Sequence, residues 1–281
     1  MAGADNIDFI RNLFAAQIAR GELDLPVLPE VAARVVAVAG SPDNDAATLA
    51  KLIVCDPPLA AHVMRVATSA IYQPRHPIES LQQAISWLGM AEVSDIAFTV
   101  AVQGKLLNVP GQKARVQRMW KQAVATALWS RAVADASGSR AEPSYLGGLL
   151  HEIGKPACLQ ALMELSRRAA TPLSDEDIEA LVAEFHVEVG VTLATNWKLP
   201  DGVVQVIGGW SRWSDRSERR AGCAIVYLAH HLAEHMTANS GSLAADALAS
   251  DPAAAELGLG LPELLALCAQ TDKIRSLADG F

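Results

Sequence analysis

The chain has 281 residues, 51% of them apolar, and a formal charge of −8 from 23 basic and 31 acidic side chains. That length suits one large domain or two small ones with a substantial core, and the acidic balance excludes a general nucleic-acid binder, which needs a basic surplus. No run approaches ~18 uncharged apolar residues, so no membrane span is expected.

Helix signals dominate in chain order, and no segment keeps a period of two. The reading is therefore all-α, as two packed helical bundles. A helical extension is expected over residues 1–19. Asp56 then supplies an N-cap and Pro57 a first helical residue, after which Leu59, Val63, Val66, Ala67 and Ala70 share one face. Ser80-Leu-Gln-Gln83 reads as a capping box and Gly89 as a stop. Further helical patterns cover about 91–107, 113–136, 158–169, 174–185, 187–197 and 218–236. Ser174 is the expected N-cap of an acidic first turn, Asp175-Glu-Asp177. Asn108-Val-Pro-Gly111 is the best internal boundary, dividing a bundle at 20–107 from one at 112–236. An acidic, Ala-rich helical tail follows over 237–281, in which Pro262 opens a helix with Leu264, Leu265, Leu267 and Cys268 on its apolar side. The N-terminus shows no basic leader before an apolar run, and Cys55, Cys158, Cys223 and Cys268 form no C-x-x-C. Reduced thiols in a cytoplasmic protein are the expectation.

Three constellations could carry chemistry. The first is Tyr145-Leu-Gly-Gly-Leu-Leu-His-Glu-Ile-Gly-Lys155, where an apolar helix delivers a His, a carboxylate and a Lys. Adjacent groups cannot share a helix face, but at a helix end both can reach one ion, as a hydrolytic metal centre requires. A capped helix end explains the same residues. The second is His231-Leu-Ala-Glu-His235, which with His230 forms a polar helix face; it matches H-x-x-E-H, a zinc-site spacing. Glu256 and Glu263 are the available third ligands, and a solvated face is the plainer explanation. The third is Trp210 to Arg220, in which Trp210, Arg212, Trp213, Arg216, Arg219 and Arg220 could grip phosphates, stack on bases or anchor a partner. A surface connector with one tucked Trp explains it equally. In the loop at 74–77, Arg75 and His76 are exposed candidates for contact.

Ordered motifs then carry a family resemblance over about residues 20–235. They are Leu25-Pro-Val-Leu-Pro29, Asp56-Pro-Pro-Leu59 through Ala67-Thr-Ser-Ala-Ile-Tyr72, Ile78-Glu-Ser-Leu-Gln-Gln-Ala-Ile85 with Leu88-Gly89, and Trp120. Gly148-Leu-Leu-His-Glu-Ile-Gly-Lys155, His186-Val-Glu-Val-Gly190 and Trp197-Lys-Leu-Pro200 follow. The chain resembles HDOD proteins, bacterial signalling relatives of the HD and HD-GYP phosphohydrolases. The resemblance implies that the second bundle is a degenerate HD domain.

The departures from the family pattern matter as much. Gln122 stands where HD enzymes carry an upstream His, Val206-Ile-Gly-Gly-Trp210 offers no His, Glu152 replaces Asp, Thr68 replaces Asn, and His230 lies near the place of a metal-binding Asp. His151, Glu152, His186 and His230 remain as a metal or polar remnant, although His186 and Glu188 lie roughly 200° apart on a helix and His186 could equally cap or pack. The expectation is a non-catalytic signal-transduction module without cofactor, binding a signalling protein or nucleotide messenger, with self-association left open. No receiver, kinase or cyclase domain is expected within the chain, so input and output would come from separate partners. The alternatives are a residual phosphohydrolase holding a single divalent transition metal, with Lys155 on phosphate, and a nucleic-acid-binding regulator.

Overall fold

The computed structural model describes residues 2–39, 45–69, 72, 77–106, 109–139, 144–215, 220–238 and 245–281, and every described element is helical. Ala70, Arg75, His76, Asn108, Arg216 and Arg219 lie outside the described residues. The first bundle comprises α2 (Glu30–Ala39), α3 (Ala46–Val54), α4 (Pro57–Ala67), α5 (Leu81–Leu88) and α6 (Met90–Leu106), preceded by α1 (Ala2–Arg20). The second comprises α7 (Lys113–Ala136), α8 (Ser144–Leu150), α9 (Gly154–Arg168), α10 (Asp175–Asn196), α11 (Asp201–Gly209), a 3-10 segment at Trp210–Asp215, and α12 (Arg220–Thr237). The tail adds α13 (Ala245–Ala249), α14 (Pro252–Glu256), α15 (Leu261–Cys268) and α16 (Thr271–Ala278). No single described helix is long and apolar enough to cross a membrane.

Local signals set several helix starts. Asp56 accepts from the Leu59 amide at 3.1 Å, ahead of Pro57. Ser174 and Asp177 exchange both bonds of a capping box. At Ser80 the expected box is only half made: Ser80 accepts from the Gln83 amide, while the Gln83 side chain reaches past it to the Glu79 amide at 2.7 Å. The patterns at 174–185 and 187–197 join into one helix, α10. On α15, Leu264 and Leu267 are buried but Leu265 faces outward, against the expected apolar side. Cys158 and Cys223 are buried, Cys268 is partly buried and Cys55 is exposed; all four are free thiols.

The long helix α7 is the spine of the second bundle, packing against α8 and α12. Its Val124, Ala125, Ala127, Trp129 and Val133 are fully buried. Removing such side chains from water contributes about 1.5–3 kcal/mol for each large one. Gly148 lets α8 lie on α7, since a Cβ there would stand 2.9 Å from the Ala127 Cα.

The bundles are joined at Arg131 of α7, whose guanidinium meets Glu92 and Asp95 of α6 and lies 4.6 Å from the centre of the Tyr145 ring. Tyr145 in turn pairs with Thr99 of α6 at 2.9 Å. The extension α1 crosses to the second bundle, packing on α9 and α10 through Phe14 and Phe185, whose rings meet edge-on at 5.3 Å.

Candidate functional site

His151 arrives at the end of α8, in the turn before α9, because Gly154 lets the two helices close on α10. A Cβ at Gly154 would overlap the His186 carbonyl and stand 2.7 Å from the Gly190 amide nitrogen. The turn holds the His151 ring inside the protein, where it is 2% exposed. Its Nδ1 bonds the Gly148 carbonyl at 2.7 Å, and its Nε2 meets Nδ1 of His230, on α12, at 2.9 Å. Trp210 walls both rings, with centroids 4.9 Å from His151 and 4.6 Å from His230.

Glu152 is half-turned to the surface, where Lys155 Nζ holds it at 2.5 Å. His151, Glu152 and His230 each bring one ligand atom within 4.8 Å of the others, and they form the one such group among the described residues.

Electrostatics follow from this burial. Desolvation depresses the His151 imidazole to about 3, against the pull of Glu152. His230 moves the same way, again chiefly through desolvation. Burial pushes the Glu152 carboxyl up, and the nearby His151 and Lys155 more than reverse that, leaving it below the usual carboxylate range.

The remaining sequence candidates divide. His186 sits on α10 with Nδ1 3.0 Å from the Val182 carbonyl and 3.1 Å from that of Ala183, so it serves its own helix and does not join the three donors. Gln122 donates to the His230 carbonyl at 3.3 Å and accepts from Thr237 at 2.9 Å, tying α7 to α12. Trp210 and Trp213 are both core residues, 8% and 7% exposed, so neither offers a stacking face, and the expected contact role is corrected for both. One tucked Trp was the sequence alternative; the 3-10 turn tucks in both. Arg220 lies 5.3 Å over Trp213 and pairs with Glu256 at 2.9 Å; Arg212 is exposed. Neither expected third ligand joins His231 and His235: Glu256 is on Arg220, and Glu263 accepts from the Gly260 amide at 3.0 Å.

A groove of about 860 Å³ runs from the His230 edge, lined by Glu152, Lys155, His231, Glu234, His235 and, from α7, Arg118 and Lys121. The α7 cations escaped the sequence reading. Their signal was present: Arg118 and Lys121 are three residues apart, on one helix face just before Gln122.

An all-α pair of bundles with a buried His at a helix end, followed by a carboxylate, defines an HD-like architecture. The HDOD domain family model matches residues 25–209, and the chain belongs to that family. It is 25% identical over 202 residues to an uncharacterized protein of Treponema pallidum, an alignment covering 69% of this chain and 39% of that relative. The chain thus spans well under half of that relative's length. Among solved structures it resembles an HDOD domain protein of unknown function from Geobacter sulfurreducens, at 21% identity and a TM-score of 0.71, covering 98% of each chain. It also resembles a provisionally named metal-dependent phosphohydrolase from Shewanella amazonensis, at 20% identity and a TM-score of 0.70, covering 98% of this chain and 99% of that one. At these identities the structural likeness establishes the fold.

Proposed function

We propose that this chain is a non-catalytic HDOD signal-transduction module that binds a signalling partner or nucleotide messenger at the groove beside His230. One observation carries the reading: the donor set has contracted to two imidazoles bonded to each other and one carboxylate held by Lys155. A two-metal phosphodiesterase needs ligands for both ions, and Gln122, at the place of an upstream ligand, spends its amide on α12.

A second reading has a specific observation in its favour. His151, Glu152 and His230 are close enough to fit a single transition metal, and the mix of imidazole and carboxylate donors suits one. Such an ion would supply Lewis acidity and an activated water to a phosphate ester. Lys155, and Arg118 across the groove, would hold the phosphate.

Metal analysis of tag-free protein, with Glu152→Gln alongside, decides between them. The signalling reading expects no near-stoichiometric manganese, iron, nickel or zinc, and no metal-stimulated hydrolysis of bis-(p-nitrophenyl) phosphate. Stoichiometric metal that disappears in Glu152→Gln, together with turnover of that ester, would replace it with the hydrolase.

A further inference from the structure

From outside the family-matched segment, the tail reaches Lys121, one of the cations that line the groove. In α16, Ile274, Leu277 and Ala278 are buried, and the helix packs along α7. Just beyond it, Asp279 Oδ1 takes Nζ of Lys121 at 2.6 Å. The next residues cross to the first bundle. The Phe281 carbonyl accepts from Gln103 of α6 at 2.8 Å, and the Phe281 ring stacks on His62 of α4 at 5.8 Å.

Lys121 lines the groove with Arg118 and Lys155. Two of these three cations already face a carboxylate of the chain itself, Lys155 on Glu152 and Lys121 on Asp279. Glu152 is fixed beside the imidazoles. Asp279 is different: it stands on the tail, 52% exposed, in an ion pair of the weak, solvent-screened kind. A ligand carrying several negative charges outcompetes a single carboxylate for such an ammonium.

We infer that Asp279 is a built-in competitor for phosphate-bearing anions, so that ligand entry exchanges the Lys121–Asp279 pair for a Lys121–phosphate pair. This rests on the reading of the groove as a ligand site. Because the same segment grips Gln103 and His62, occupancy of the groove and the tail's hold on the first bundle oppose each other, and the opposition is reciprocal.

The test is calorimetric titration of the full chain with inorganic triphosphate at low ionic strength. Asp279→Asn is expected to bind about two- to fivefold more tightly than the unaltered chain, the range such a pair supports. The gain is expected to vanish in a Lys121→Ala background. Asp272→Asn removes an equal charge from the same tail, where Asp272 pairs with Arg275 instead, and is expected to leave affinity unchanged. If the unaltered chain and Asp279→Asn bind equally while Lys121→Ala binds more weakly, the competitor is rejected and the groove stands. If Asp272→Asn tightens binding as much as Asp279→Asn, bulk charge is the cause and the inference fails. If no protein binds triphosphate, the groove as an anion site and the competitor fall together.

Discussion

The Nε2 of His151 and the Nδ1 of His230 face each other at 2.9 Å, and the other nitrogen of His151 faces the Gly148 carbonyl at 2.7 Å. A carbonyl can only accept, so Nδ1 of His151 carries that ring's proton and its Nε2 is the acceptor for His230. The lone pair an ion would need is therefore engaged by the Nδ1 proton of His230. Metal entry at His151 must break this bond and turn the His230 Nδ1–H aside; burial already keeps both imidazoles neutral, so no proton has to leave them.

That bond also makes His151 structural. His151→Ala strands the Nδ1 donor of His230 in a buried place and is expected to lower unfolding free energy by about 1–3 kcal/mol. Urea denaturation at neutral pH measures it. A loss of function in this variant is uninformative unless stability is measured alongside it.

Gly154→Ala is expected to be worse, because the obstacle is backbone. The added methyl meets the His186 carbonyl and the Gly190 amide, and neither can swing aside as a side chain would. A cost of about 3 kcal/mol or more is expected, with α9 displaced from α10. Thermal melting and the near-ultraviolet dichroism of the buried tryptophans report both effects.

The junction between the bundles is expected to weaken with rising pH. Two carboxylates, Glu92 and Asp95, share the single Arg131 guanidinium, and burial pushes Asp95 up to about 8. An unfolded Asp titrates near 3.9, so folding takes up a proton between the two values. That stabilisation is complete below about pH 4 and is lost as pH rises through about 8. Asp95→Asn imitates the protonated acid. Its unfolding free energy is expected to decline less over this window, by at most about 1.4 kcal/mol per pH unit. Denaturant titrations of both proteins at pH 5, 7 and 9 test the difference.

Phe14→Ala is expected to cost about 3–5 kcal/mol. The ring is fully buried against Phe185, although α1 precedes the family-matched residues. Equilibrium unfolding in guanidinium measures the loss. A cost under about 1 kcal/mol would mean α1 is dispensable to the core.

What the sequence revealed was local. The caps at Asp56 and Ser174 were legible because each bond closes within a few residues. So was the delivery of His151 and Glu152 at a helix end. The break expected at residue 186 was wrong: α10 runs unbroken from Asp175 to Asn196, and Gly190 within it makes room for Gly154 of a neighbouring helix. The tryptophans at 210 and 213 were misjudged in the same way, since the turn that sends both inward is decided by what lies beneath it. His186 looked like a ligand through its motif, but the rotation of α10 leaves its nitrogen on its own carbonyls. The partnership of His151 with His230 spans 79 positions, beyond the reach of any spacing rule.

The crossing of α1 onto the second bundle, set beside the tail's return to the first, gives the molecule a mechanical character. A hinge at Pro110 alone cannot open it. α1 holds the second bundle and the tail holds the first, in addition to the direct junction of α6 with α7 and α8. Separating the bundles therefore means losing the α1 or tail contacts in addition to those around Arg131.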